Sequence, residues 1–242
     1  DAGADVAQCA GTPLTIGTPN QAGITYSWTG TQAIPIGQST VAEPTLTINN
    51  VVNSPYTYTL TVSDGQCEDA DDVVVTIHPV PFVNLTTSDN ILCFDAPNNI
   101  ATLTATGQPT YTYSWSPSAS ILSALDLGII DVDPIANEVF TLTTSEDFGT
   151  VVCSTTNDIS IFVGQLLEII NLTYPDQMCA GECINTDEIE FDSLGTFGSI
   201  TATIDGNDLS VPICFDDPEQ HQLLIIDEEG CEATADFTIT VR

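Results

Sequence analysis

The strongest constraint on the fold is an internal repeat of about 85 residues, the size of a small domain. Cys9, Cys93 and Cys179 lie at this spacing along the chain. The segment Ile-Thr-Tyr-Ser-Trp at 24–28 recurs as Tyr-Thr-Tyr-Ser-Trp at 111–115. A period of this length predicts tandem domains rather than one large fold.

Apolar and polar residues alternate with a period of two in nearly every segment. Tyr58, Leu60 and Val62 alternate with threonines, and so do Leu103 and Ala105. This alternation is typical of strands that have one face on a core and the other in water. Short strands between Gly, Pro, Asn and Asp clusters, with no long helical segment, predict an all-β chain of β-sandwiches.

Two short junctions divide the chain, at 78–81 (His-Pro-Val-Pro) and at 164–165 (Gly-Gln). Proline fixes the backbone and disfavours helix before it, so the first junction should be stiff. Short linkers of this kind predict three domains in a semi-rigid rod. The predicted domains, called the first, second and third repeats below, are residues 1–79, 80–165 and 166–242.

The first repeat is predicted to lack its opening strand. Only residues 1–8 precede Cys9, and they are polar or small except for Val6, whereas apolar segments at 81–87 and 166–174 precede the first cysteines of the other repeats. Either the chain was cut from a longer array, or a neighbour donates the missing strand by β-augmentation.

The eight cysteines, an even number, are predicted to form disulfides rather than metal or redox sites. Cys179 and Cys183 are close in sequence, but no histidine or second close cysteine pair completes a zinc site. The spacing favours one bridge inside each repeat and an extra bridge in the third, where the connectivity stays open. The predicted pairs are Cys9–Cys67, Cys93–Cys153, Cys179–Cys231 and Cys183–Cys214.

This pairing has two expected consequences. Trp28 and Trp115 should pack on the disulfides of their own repeats as core residues. The third repeat has no such tryptophan, and its extra bridge would take that place. Disulfides persist in oxidising compartments, so an extracytoplasmic location is predicted.

The net charge excludes several classes of partner. The chain has 34 acidic residues, one basic residue and no lysine, which gives a formal charge of −33. Nucleic-acid binding needs Lys and Arg to displace counterions from phosphates. The same balance argues against an anionic membrane surface or an ATP pocket. The composition is still that of a packed domain, because 42% of the residues are hydrophobic.

The repeated motifs resemble those of a known family. In the first repeat, Tyr-Ser-Trp at 26–28 is followed by Tyr-Thr-Leu-Thr-Val-Ser-Asp-Gly at 58–65 and Val-Val-Val-Thr-Ile at 73–77. This pattern is similar to PKD-like and related immunoglobulin-like repeats in giant cell-surface proteins of Bacteroidota, including gliding-motility adhesins of the SprB type. It covers the first two repeats fully and the third partly. The resemblance implies export, tandem immunoglobulin-like domains, and roles in adhesion or as fibre stalks, with no catalytic residues.

Little in the sequence suggests catalysis. The two histidines, His78 and His221, lie in no motif with a nucleophile and are expected at a junction or on the surface. With the cysteines in bridges and no lysine, the residues for a general base or an oxyanion site are few. We therefore predict no catalytic residue and no enzymatic activity.

Acidic clusters are candidate sites for calcium, the only cofactor suggested, because carboxylates at short spacing supply hard oxygen ligands. The alternative is that these acidic residues form an ordinary solvated surface on which their charges repel one another. No cluster matches an EF-hand. The candidate ligands are Asp69, Asp71, Asp72, Asp187, Glu188, Glu190, Asp192, Asp205, Asn207 and Asp208. Candidate glycosylation sites are Asn84 and Asn171 in Asn-Leu-Thr sequons, and Ser193 in an Asp-Ser-Leu segment.

Together these features predict a non-enzymatic structural or adhesive segment of an extracellular bacterial surface protein, either secreted or held at the cell surface. It would form part of a stalk or fibre for adhesion or gliding. Its partners would be neighbouring domains of a longer chain or identical subunits, together with glycans or surfaces. Two alternatives stay open: a filament subunit that assembles by strand donation, and a carbohydrate-binding module with Tyr56, Tyr111 and Tyr174 as its aromatic candidates.

Overall fold

The computed structural model describes residues 1–94, 99–185, 187–215 and 220–242. Every regular element in these ranges is a β-strand, which confirms the all-β prediction. None of the described residues belongs to a helix that is long and apolar enough to cross a membrane.

The strands are numbered in chain order. The first repeat contains β1 (Val6–Cys9), β2 (Pro13–Thr15), β3 (Thr25–Gly30), β4 (Thr45–Thr47), β5 (Tyr56–Ser63) and β6 (Glu68–His78). The second contains β7 (Asn84–Thr87), β8 (Ile91–Leu92), β9 (Ala101–Thr106), β10 (Thr112–Ser116), β11 (Ile129–Val132), β12 (Glu138–Asp147) and β13 (Val152–Val163). The third contains β14 (Glu168–Thr173), β15 (Gln177–Met178), β16 (Glu182–Ile184), β17 (Glu190–Leu194), β18 (Ile200–Ile204), β19 (Asn207–Asp208), β20 (Ile213–Phe215), β21 (Gln220–Asp227), β22 (Glu232–Thr238) and β23 (Thr240–Val241).

The chain divides into two compact units, and the second repeat contributes to both. Unit 1 comprises Asp1–Asn84, Thr106–Ser114 and Leu142–Asn157. Unit 2 comprises Leu85–Ala105, Trp115–Thr141 and Asp158–Arg242.

Unit 1 contains a sandwich of two sheets. One sheet has the strand order β1-β6-β5-β3, in which β1 runs parallel to β6 and the other pairs are antiparallel. The other sheet pairs β2 with β4. Trp28, Leu46, Leu60 and Val75 fill the core of this sandwich. Burial alternates along β5, so the period of two marks the face that packs on the core.

Unit 2 contains the third repeat and parts of the second. In the third repeat an antiparallel sheet has the order β19-β18-β21-β22, and β15 runs parallel to β23. Ile204, Leu223, Ile225 and Phe237 lie in its core. In the second repeat β8 runs parallel to the end of β13. Each repeat thus has a short early strand that runs parallel to its last strand.

The two tryptophans are core residues, as predicted, but they do not pack on a disulfide of their own repeat. Trp28 is 3% exposed and Trp115 is 2% exposed. The Trp28 indole N–H donates to the Val41 carbonyl at 2.9 Å, and that of Trp115 donates to the Leu127 carbonyl at 2.9 Å. None of the three observed disulfides joins two cysteines of the first repeat or two of the second, and a loop carbonyl satisfies each buried indole instead.

Residues 1–5 form no strand within the described first repeat, where β1 is the first element. Ala2 is nevertheless fully buried. Its N–H donates to the Asp71 carboxylate at 2.8 Å, and its carbonyl accepts the N–H of Gly17 at 3.0 Å. These residues are fixed by hydrogen bonds although they do not extend a sheet.

Two buried tyrosines on β5 give a matched pair of substitutions. The Tyr56 hydroxyl donates to the Asn50 carbonyl at 2.7 Å, whereas the buried Tyr58 hydroxyl has no hydrogen-bond partner among the described residues. Burial raises the pKa of Tyr58 to about 12. We expect Tyr56→Phe to lower the free energy of unfolding by about 1–2 kcal/mol, because it removes a satisfied bond, and Tyr58→Phe to leave it unchanged or raise it by up to about 1 kcal/mol. Urea denaturation would measure both, and equal losses would contradict this assignment.

Candidate functional site

The candidate functional sites lie at the ends of the repeats, where the cysteines are found. Within the described chain three disulfides form: Cys9–Cys153, Cys93–Cys231 and Cys183–Cys214. Cys67 and Cys179 are free and exposed. The predicted pairs Cys9–Cys67, Cys93–Cys153 and Cys179–Cys231 are therefore wrong, whereas Cys183–Cys214 is present as predicted.

The geometry of the first repeat explains the error. Cys9 lies opposite His78, the last residue of β6, because β1 runs parallel to that strand. Cys67 directly precedes β6, which has 11 residues. At about 3.3 Å per residue the two cysteines lie roughly 35 Å apart. A disulfide requires Cα atoms about 5–6 Å apart, so this pair cannot form.

The same arrangement occurs in the other repeats. Cys93 follows β8, which pairs with the last residues of β13, whereas Cys153 lies near the start of β13. Cys179 follows β15, which pairs with β23, whereas Cys231 directly precedes β22. We call Cys9, Cys93 and Cys179 the strand-end cysteines, and we call Cys67, Cys153 and Cys231 the hairpin cysteines. Both long-range bridges join the strand-end cysteine of one repeat to the hairpin cysteine of the next.

Side chains pack closely around both of these bridges. In unit 1 the His78 ring stacks on Phe148, with 4.2 Å between ring centroids. Phe148 lies in the turn between β12 and β13, and Cys153 in the same hairpin is fully buried. In unit 2 Cys93 packs against the core of the third repeat, where Cys231 is 3% exposed. At each bridge the hairpin cysteine is thus buried, whereas the strand-end cysteine is half-buried.

The third disulfide is a cross-strand bridge. Cys183 on β16 lies directly opposite Cys214 on β20. The two strands form a small separate sheet in unit 2. This bridge fixes the register of two short strands that would otherwise share few hydrogen bonds.

His221 is buried, which corrects the expectation of a surface or junction position. It is 6% exposed, and its ring lies 4.3 Å from Phe215 and 5.7 Å from Phe237 between centroids. Its Nδ1 lies 2.7 Å from the Asp205 carboxylate. Asp205 is one of the candidate calcium ligands. Because of this contact, its carboxylate already has a protein partner. His78, at the junction, agrees with the expectation.

The acidic candidates for calcium binding are not gathered into one site. No three His, Cys, Asp or Glu side chains group around a common point in the part of the chain that the structure describes. Several candidates instead accept hydrogen bonds: Asp71 from Ala2, Asp192 from Asn171, Glu188 from Asn185 and Asp208 from Ser210. Asp69, Asp72, Asp187, Glu190 and Asn207 are exposed. Backbone hydrogen bonds from Ala2 and Ser210 hold the pKa values of Asp71 and Asp208 below the usual range.

The glycosylation candidates remain predictions. Asn84 is exposed on β7, and Ser193 is half-buried on β17. The Asn171 side-chain amide donates to Asp192 at 2.8 Å, and its backbone φ is 53°.

The aromatic candidates for carbohydrate binding do not form an exposed platform. Tyr56 is buried. Tyr174 packs against Phe237, with 4.8 Å between ring centroids, in the core of the third repeat. Tyr111 is half-buried. Sugar-binding sites depend on accessible aromatic faces, and these rings are used for packing instead.

Comparison with known proteins supports the fold. No protein-family model and no curated protein sequence matches the chain. The structure is similar to the N-terminal eight immunoglobulin domains of Down syndrome cell adhesion molecule isoform 1.30.30, with a TM-score of 0.53 and 11% identity over 100% of this chain. This chain spans 36% of that structure's length.

Two further similarities are weaker. The titin I-band fragment I67–I69 matches with a TM-score of 0.40 and 13% identity, over 99% of this chain and 96% of the fragment. Extracellular domains 3–5 of Drosophila OTK match with a TM-score of 0.40 and 11% identity, over 99% of this chain and 94% of that one. The all-β fold and the likeness to the eight-domain structure confirm the prediction of tandem immunoglobulin-like β-sandwiches.

Proposed function

We propose that the chain is a non-enzymatic structural and adhesive segment of an extracellular protein that is built from tandem immunoglobulin-like repeats. The observation that carries this proposal is the pair of bridges, Cys9–Cys153 and Cys93–Cys231, that join each repeat to the next. Bridges inside a domain only stabilise that domain. Bridges between successive repeats also keep the repeats together, as a stalk or fibre segment requires.

The finer assignment rests on the family resemblance. It implies repeats on a bacterial cell surface, in adhesion or gliding. The domains at residues 1–79, 80–165 and 166–242 remain a prediction from the two short junctions. Dense negative charge would keep neighbouring fibres apart and soluble, because like charges repel. This repulsion is strong at low salt and is screened at high salt. A semi-rigid rod and weak calcium binding remain predictions within this proposal, as do glycans or surfaces as adhesion targets.

One observation favours a filament subunit as the second candidate. Among the described residues, β2 and β4 form a sheet of only two strands. A strand from another copy could extend the β2–β4 sheet by β-augmentation. Solvent-exposed threonines on both strands leave that sheet accessible.

Immuno-electron microscopy of the source cells tests the proposed function. An antibody against this chain should label extracellular fibres at repeated positions. Cells washed with a thiol reductant are the matched control, because reduction should remove labelled material that is held by disulfides. Single scattered label on the cell wall without fibres would favour the carbohydrate-binding alternative. Label confined to the cytoplasm would contradict both the location and the function.

A further inference from the structure

The two cysteines without a bridge in the described chain are complementary to each other. Cys67 is a hairpin cysteine, Cys179 is a strand-end cysteine, and both are exposed. Each bridge between repeats joins one cysteine of each class. The free pair therefore supplies the two halves that one further bridge of this kind would need.

Cys179 is presented in the same way as the strand-end cysteine of the first repeat. Both begin a Cys-Ala-Gly turn, at residues 9–11 and 179–181. In each turn the alanine N–H donates to a carbonyl at the end of the last strand, that of His78 at 2.9 Å or Arg242 at 3.2 Å. The glycine φ angles are 80° and 78°. The same local structure that holds a bridged cysteine in the first repeat thus holds a free one in the third.

Cys67 is presented in the same way as the bridged hairpin cysteine Cys231. An aspartate begins each turn, and its Oδ1 accepts the cysteine N–H at 2.8 Å from Cys67 to Asp64 and at 2.9 Å from Cys231 to Asp227. The aspartate N–H donates back to the cysteine carbonyl at 3.3 Å and 3.0 Å, respectively. The two hairpin cysteines differ in solvent exposure: Cys231 is buried at its bridge, whereas Cys67 is exposed.

The two free thiols differ in their surroundings. Next to Cys67 lies a shallow depression of about 190 Å³ that includes the apolar side chains of Ile24 and Val62 and the acidic Glu68 and Asp69. Next to Cys179 lie Arg242, whose carbonyl accepts the Ala180 N–H, and Glu182, whose carboxylate accepts the Cys179 N–H at 2.8 Å. Carboxylates therefore lie near both thiols, so contact between two copies requires salt to screen their repulsion.

We propose that Cys179 of one copy and Cys67 of a second copy form an intermolecular disulfide, so that copies join head to tail. The two surfaces are different, so the contact is heterologous and the growing chain keeps a free Cys67 at one end and a free Cys179 at the other. This goes beyond the proposed function, since neither a stalk of tandem repeats nor assembly by strand donation requires a covalent bond between copies.

The linkage is a two-electron oxidation. Two S–H bonds break and one S–S bond forms, and the two electrons and two protons pass to a disulfide oxidant, which is reduced to two thiols. In vitro, oxidised glutathione serves as this oxidant. The thiolate of one cysteine attacks it and releases one glutathione thiol, and the thiol of the other copy then displaces the second.

The test uses the full chain and three variants, Cys67→Ser, Cys179→Ser and the double variant, with oxidised glutathione in 0.5 M NaCl to screen repulsion between acidic copies. Wild-type protein should form a ladder of dimers, trimers and longer species on a non-reducing denaturing gel. An equimolar mixture of the two single variants should stop at dimers, at a rate at least ten times that of either variant alone. Digestion after glutamate and mass spectrometry should identify the peptide pair that contains Cys67 and Cys179.

Three results would overturn the proposal. The first is wild-type protein that stays monomeric with both thiols still reactive. The second is an intramolecular bond between Cys67 and Cys179, which would give a monomer without free thiols. The third is dimerisation of each single variant as fast as their mixture, because that indicates unselective coupling. The double variant must remain monomeric with three disulfides, which shows that the other cysteines do not contribute.

Discussion

Trypsin should cut the variant Gln165→Lys once and yet release no fragment until the disulfides are reduced. The chain has no lysine, and its only arginine is Arg242, so this substitution creates a single internal site. Gln165 is exposed in the junction between the second and third repeats. The Cys93–Cys231 bridge should hold the fragments 1–165 and 166–242 together. A denaturing gel run with and without reductant measures this directly.

The control is the same variant with Cys93→Ala and Cys231→Ala, which should separate into two bands without reductant. Bridges inside the repeats, as spacing alone predicts, would release the fragments in both proteins. Two bands from Gln165→Lys on the non-reducing gel would therefore contradict the observed pairing.

Gly17→Ala should lower the free energy of unfolding by more than about 4 kcal/mol, among the largest effects of a single substitution. Gly17 has a φ of 90°, where a side chain is strained. A Cβ atom there would overlap the carbonyl oxygen of Ala42 and lie 2.9 Å from the Trp28 ring. Because backbone and a buried tryptophan supply these contacts, small side-chain movements cannot relieve them. Chemical denaturation followed by tryptophan fluorescence measures the loss.

Gly23→Ala is the matched control for this prediction. Gly23 has a φ of 83°, and no described atom lies within 4 Å of an added Cβ. It should cost only the backbone strain, about 1–2 kcal/mol. A similar loss in both variants would show that the left-handed conformation alone, rather than the contact with Ala42 and Trp28, makes Gly17 necessary.

The local pattern of the sequence predicted the strands well because alternation is a local property. The segment around Tyr58 and Leu60 forms β5, and both tryptophans are buried as expected. His221 shows a signal that was overlooked. It shares the period of two with Leu223 and Ile225, whose side chains face the core, and this places His221 on the same face. The lack of a nucleophile nearby in the sequence says nothing about burial, whereas the alternation does.

The disulfide connectivity could not be read from spacing, because two pairings repeat with similar regularity. The bridged cysteines are separated by 144 residues in Cys9–Cys153 and by 138 in Cys93–Cys231. In a periodic sequence, the spacing from a cysteine to a partner in its own repeat recurs from one repeat to the next. The spacing to a partner in the following repeat recurs in the same way. The parallel pairing of β1 with β6 decides between them, and a non-local strand pairing has no local signature. The shared Cys-Ala-Gly turn at 9–11 and 179–181 indicates which cysteines are equivalent but not where they bond.

The bridges between repeats limit how far the chain can be stretched. Under tension the shortest covalent path runs from the N-terminus to Cys9, across to Cys153, back along the chain to Cys93, across to Cys231 and on to Arg242. This path contains about 80 residues and spans at most roughly 270 Å, whereas the reduced chain could extend to roughly 820 Å. Even complete unfolding by a pulling force would therefore lengthen the oxidised molecule to only about a third of the length of the reduced, extended chain. The force that resists stretching would rise at a correspondingly smaller extension.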